Sequence, residues 1–106
     1  MRLGSYDCYL EENSKIKSIY NNKNVIQERH RHRYEVDITL CDNFKENGMF
    51  FSGLSPNKDL PEILELNDHP WYFAVQFHPE LKSKPFDPHP LFSSFIKACL
   101  DKSRLI

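Results

Sequence analysis

Several features that would point to a familiar chemistry are scarce in this 106-residue chain. Its three cysteines, Cys8, Cys41 and Cys99, are odd in number, widely spaced and in no C-x-x-C pair. That argues against both a disulfide framework and a structural zinc site and fits a reducing, cytoplasmic setting. Charge of one sign is also lacking, with Lys+Arg 14 against Asp+Glu 15. No global field draws the chain to nucleic acid or to an anionic membrane, and any basic function must be local. The longest apolar runs, such as "WYFAV", fall far short of the roughly 20 residues of a spanning helix. No basic segment followed by an apolar one opens the chain, so the expectation is a soluble protein without a secretion signal. Glycine is sparse too, and no serine or cysteine sits on a sharp, glycine-flanked turn between a strand and a helix. Without such a turn the chain has no evident nucleophile of its own.

What is present is enough for one modest domain with a single core and no interdomain linker. "YDCYL" reads as a strand, and Asn13 or Ser14 can cap a short helix through "KIKSIY". Val25 through Val36 looks extended. Asp37 then stands at an N-cap position ahead of Ile38, Cys41 and Phe44, and Gly48 closes that helix. "MFFSGL" and "LPEILEL" flank the turn formers "SPNKD" and predict an antiparallel hairpin. "WYFAVQF" is apolar on both faces, as a strand buried inside a sheet would be. Pro90 near N1 opens a last helix with an apolar stripe of Leu91, Phe92, Phe95, Ile96, Cys99 and Leu100. The pattern predicts an α/β fold in which helices partly cover a sheet.

Two stretches can carry chemistry. In "FHPE", His78 and Glu80 are two apart, so in extended backbone a carboxylate can reach its neighbour's imidazole and fix its tautomer. A structural ion pair explains the motif about as well. In "RHRHRYEV", alternation puts Arg29, Arg31 and Arg33 on one face and His30 and His32 on the other. Two histidines make an incomplete metal site, and His69 and His89 each precede a proline in turn-like contexts, so no metal is expected. Glu28, Glu35 and Asp37 weaken a nucleic-acid reading. An arginine fork suits capture of one carboxylate, with Tyr34 beside it, although a solvated edge strand would carry the same charges.

Taken in order and spacing, "MRLG", "ERHRHRYEV", "DHPW", "VQFHPE" and "HPLFSSFI" resemble the C-terminal part of the class I glutamine amidotransferase (glutaminase) domain of the CTP synthase family. The likeness covers nearly the whole chain. It implies that residues 1–106 are part of such a domain, with a mixed, mainly parallel sheet flanked by helices and an antiparallel hairpin. It implies a cytoplasmic ligase of pyrimidine nucleotide biosynthesis, an oligomer of like subunits, that aminates UTP to CTP with ATP, Mg2+ and ammonia from L-glutamine. On that likeness His78 and Glu80 belong to a Cys-His-Glu triad, Arg33 binds glutamine and Tyr34 lines the same pocket. Arg29, His30, Arg31 and His32 match the motif without an assigned role. The cysteine elbow and the synthetase domain that binds ATP and UTP would precede Met1, so no cofactor is expected in this piece. Leu81 and Pro88 depart from the usual residues without touching His78, Glu80 or Arg33. The alternatives are another class I amidotransferase, or a non-catalytic module that has lost its nucleophile.

Overall fold

The computed structural model describes residues 2–103, so Met1 of the "MRLG" stretch lies outside it. The chain runs β1 (Arg2–Leu10), α1 (Lys15–Ile19), β2 (Val25–His32), a 3-10 turn (Ile38–Leu40), α2 (Cys41–Glu46), β3 (Met49–Leu54), β4 (Pro61–Leu66), β5 (Phe73–Val75), a second 3-10 turn (Pro79–Leu81) and α3 (Pro90–Ser103). Among the described residues, no helix is long and apolar enough to cross a membrane.

The strands form one sheet in the order β2-β1-β3-β4-β5. Every described pairing is antiparallel, which corrects the expectation of a mainly parallel arrangement within this segment. For the β3–β4 and β4–β5 pairs the connections account for it: a parallel neighbour needs a crossover of about a dozen residues or more, usually helical. Here β3 turns into β4, and β4 into β5, through short loops that can only reverse the chain. The predicted hairpin is the β3–β4 pair, irregular in register around Gly53.

"WYFAVQF" is also placed differently from expectation. Only Phe73–Val75 is strand, and it pairs with β4 alone among the described residues. Phe73, Val75 and Trp71 pack against the core on one face, while Tyr72 and Ala74 are exposed on the other. The chain then leaves the sheet. Gln76 N–H donates to the Glu62 carbonyl at 3.0 Å, and two residues later His78 N–H donates to the Arg29 carbonyl at 2.9 Å. The segment thus spans from β4 to β2, and its Phe77 plugs the curl between them. Cys8, Leu10, Ile16, Ile26, Ile63 and Leu91 complete the core with it.

Local signals explain the helices. Ser14 caps α1, its hydroxyl accepting from Lys17 N–H. Glu65 of β4 reaches the same helix end and accepts from the N–H groups of Lys15 and Ile16. Asp37 Oδ1 accepts from the Thr39 N–H and hydroxyl, starting the 3-10 turn that runs on into α2. Gly48 follows that helix at φ 79, a left-handed conformation that a side chain would oppose. On α3 only Leu91 is buried, and Phe92, Phe95, Ile96 and Leu100 of the predicted stripe are exposed.

Candidate active site

β2 stops at His32, whose partner Arg2 is the last described residue of β1 at that end. Extension therefore ends four residues short of the Val36 predicted from sequence, and the chain bends at Arg33. The predicted alternation within the strand holds: Arg29 and Arg31 are exposed, while His30 is buried and His32 nearly so. The inward face of β2 is thus Ile26, Glu28, His30 and His32. Arg33 and Tyr34 project from the bend, Tyr34 with 82% of its surface exposed. Among the described residues Arg33 has no ion-pair partner.

His78 stands where the segment leaving β5 meets β2. Its N–H is held by Arg29, its carbonyl accepts from Leu81 N–H at 3.1 Å, and Lys82 Nζ donates to the Gln27 carbonyl at 2.6 Å. These bonds seat the Pro79–Leu81 turn along β2. His78 Nδ1 lies 2.5 Å from Glu80 Oε1, with the two side chains 43% and 55% exposed. Glu80's own backbone N–H, and then the His78 ring, hold its carboxyl below the usual glutamate range. An ionised carboxylate only accepts, so the shared hydrogen belongs to His78 Nδ1. Nε2 is left with its lone pair, and among the described residues no hydroxyl or thiol bonds to it. Such a ring can take a proton at Nε2 while Glu80 stabilises the resulting imidazolium.

Arg33 follows the end of β2, four residues from the Arg29 carbonyl that holds His78, at most about 13 Å at a strand's rise. An arginine side chain and a bound small molecule can bridge that span.

None of the three cysteines is placed as a partner for His78. Cys8 is fully buried, and burial first, then the Glu62 carboxylate, pushes its thiol far up from the ordinary range. Cys41 is on α2 and Cys99 on α3. Tyr20 is pushed up likewise, by burial and then by its bond to Glu28.

Sequence reasoning missed a buried polar cluster beside this site. Glu28 Oε2 accepts from the Tyr20 hydroxyl at 2.5 Å and lies 2.5 Å from His89 Nε2. His89 Nδ1 accepts from Leu91 N–H at 3.1 Å, so Nε2 carries the hydrogen given to Glu28. His89, which resembled an ordinary turn residue, thereby ties the start of α3 to β2. The detectable signal was Glu28 sharing a strand face with Ile26 and His30. Its partner, 61 residues away, had none.

Comparison with known proteins gives a consistent picture. The model of the family "Glutamine amidotransferase class-I" matches residues 1–98. A CTP synthase of Rhodospirillum rubrum is 61% identical over 106 residues, covering 100% of this chain and 19% of that protein. A CTP synthase of Pelagibacter ubique is 66% identical over 98 residues, 92% of this chain and 18% of its own length. This chain therefore spans about a fifth of the curated relatives it matches. Among solved structures, the glutaminase domain of Trypanosoma brucei CTPS with bound acivicin superposes with a TM-score of 0.89 at 37% identity, covering 95% of this chain and 40% of that one.

Proposed function

This chain belongs to the class-I glutamine amidotransferase family, and from that premise we propose that it forms part of the glutaminase portion of a CTP synthase. In this reading the longer protein hydrolyses L-glutamine and uses the ammonia, with ATP, to convert UTP into CTP. The relatives' names support the assignment, as does the solved glutaminase domain that shares the fold.

The observation that carries the chemical part is the His78–Glu80 pair, with Nδ1 engaged at 2.5 Å and Nε2 open. A cysteine supplied from outside this chain gives its thiol proton to His78 Nε2, and the thiolate attacks the side-chain amide carbon of glutamine. The tetrahedral adduct collapses as Nε2 returns the proton to the leaving nitrogen, giving a thioester and ammonia. Water then attacks the thioester, its proton passing through Nε2 to the departing sulfur, and glutamate is released. Glu80 holds the tautomer throughout. Arg33 grips the substrate's α-carboxylate through its fork and Tyr34 closes the same wall.

We assign ATP, UTP and magnesium to the remainder of the longer protein. The buried carboxylates of the described residues are engaged within the chain. Glu28 is engaged by Tyr20 and His89, Glu62 by His30 and Arg2, and Glu65 by the start of α1.

The test is His78→Ala in the full-length gene product. Glutamine-dependent CTP formation should fall by at least about a hundredfold, the usual contribution of a general base. Formation from added ammonia, which bypasses the glutaminase step, should persist. Loss of both in parallel would remove His78 from the proposed role.

A further inference from the structure

The histidines on the inward face of β2 join into a chain that ends at the glutamine-binding bend. His30 Nε2 lies 2.8 Å from Glu62 Oε1 on β4. His30 Nδ1 lies 2.8 Å from His32 Nε2, and His32 Nδ1 lies 3.0 Å from the carbonyl oxygen of Tyr34. The side chains of His30 and Glu62 are fully buried.

Counting hydrogens constrains this chain. A carbonyl only accepts, so His32 Nδ1 carries a hydrogen. A second lies between the two rings. His30 Nε2 stands 2.8 Å from Glu62 Oε1 in a close polar contact without hydrogen-bond alignment.

Charged side chains surround it. Arg2 Nη1 is 3.3 Å from Glu62 Oε1, Arg2 Nε is 3.5 Å from Glu35 Oε1, and Glu35 Oε1 is 3.6 Å from His32 Nδ1. The Arg2 guanidinium thus lies between the Glu62 and Glu35 carboxylates and over the Tyr6 ring, with Phe77 edge-on to His30. Burial makes such pairing of carboxylates with a guanidinium necessary. Around Glu62 it is charge rather than aligned hydrogen bonding that holds the group, since His30 Nε2, Arg2 Nη1 and both Glu62 oxygens lack a well-directed partner.

Beyond His32 no strand partner among the described residues constrains the backbone, and the histidine chain and the Arg2–Glu35 contact fasten the bend to the core. We infer that Glu62, His30 and His32 are positioning residues: they hold the Tyr34 carbonyl and so fix the angle at which neighbouring Arg33 meets glutamine. The inference rests on the assignment of Arg33 to glutamine given above. It gives a task to both histidines of "RHRHR".

The experiment compares His32→Ala, Glu62→Gln and Arg33→Ala in the full-length protein, with glutamine and with ammonia as nitrogen source. His32→Ala is included because it leaves the buried Glu62 pairing in place, and a thermal melt checks that each variant folds. His32→Ala and Glu62→Gln should each raise the KM for glutamine about three- to tenfold, the effect of one lost hydrogen bond. kcat at saturating glutamine and ammonia-dependent turnover should stay within about twofold. Added to Arg33→Ala, either change should raise the KM no further, because both act through that side chain. If Arg33→Ala itself leaves the KM unchanged, the glutamine assignment fails and the inference with it. If Arg33→Ala raises the KM while His32→Ala does not, or if the positioning variants lower both nitrogen reactions in parallel, the positioning role alone is overturned.

Discussion

The backbone N–H of His78 donates to the carbonyl of Arg29, 2.9 Å away, on the strand that four residues later delivers Arg33. The His78 ring and the Arg33 bend are thus referenced to one element. Relative movement between them requires breaking this bond and that of Lys82 to Gln27. Glu80, on the same short turn, sets the tautomer.

Replacing Glu80 by glutamine should therefore act on rate. The amide can present its NH2 group to Nδ1 and favour the tautomer with hydrogen on Nε2, the wrong one for a base. In the full-length protein, glutamine-dependent kcat should fall roughly tenfold to a hundredfold, short of the whole contribution of a general base. The KM should move little, and ammonia-dependent synthesis should be spared. Steady-state kinetics with both nitrogen sources checks this.

Stability should decline on the alkaline side. Cys8 and Tyr20 are both raised in the folded chain, from ordinary values of 9.0 and 10.0. A raised acid contributes stability that is complete below its unfolded value and is lost as pH rises beyond it, because only the unfolded state ionises. The denaturation midpoint should hold below about pH 9 and fall steadily above it. In Cys8→Ala the onset should move toward the tyrosine value. An onset unchanged by that substitution would show that other groups dominate the alkaline limb.

Gly53 should not tolerate a methyl group. An added Cβ would sit 2.6 Å from Ile63 Cδ1, 2.7 Å from Ile63 Cγ1 and 2.9 Å from Cys8 Sγ, inside the curl of the sheet. Gly53→Ala should destabilise by about 1–3 kcal/mol, the usual range for overpacking. Ile63→Val removes the atom nearest the clash, so the double variant should lose less than the sum of the two single losses. Denaturant melts of the four proteins of this cycle give the coupling directly.

Expressed alone, the chain should bind a hydrophobic dye and associate at micromolar concentration. Phe92, Phe95, Ile96 and Leu100 form an exposed apolar band on α3, adjoining a hollow of about 310 Å3 lined by Trp71, Phe73, Val75 and Leu91. Contiguous apolar surface of this kind drives association. Phe95→Glu with Ile96→Lys should reduce both signals in gel filtration and dye titration. A sharp monomer peak for the unaltered chain would contradict the expectation.

Features set by neighbouring residues were legible in the sequence. Ser14, Asp37, Gly48 and Pro90 mark helix ends through chemistry confined to a turn, and the β3–β4 hairpin is written in its turn formers. The His78–Glu80 contact was legible for the same reason, being two residues apart. Long-range pairing was not. Glu28, Glu62, Glu65 and His89 are types that ordinarily face water, and their partners come from distant elements. Nor could local pattern tell which neighbours Phe73–Val75 takes among the described residues. That depends on which neighbours the short connections allow, and apolar content does not encode it.

The inward face of β2 also bears on how the chain finds its fold. Side chains alternate along a strand, so a slip of one residue against β1 would swing Gln27, Arg29 and Arg31 inward and leave Glu28, His30 and His32 outside. With oily residues on one face, a slipped pairing loses contact area. Here it would also strand two guanidinium groups in the core and leave Glu62 without its imidazole. The ionisable couples inside this small sheet thus act as a register check during assembly, rejecting misaligned strands that hydrophobicity alone would penalise less.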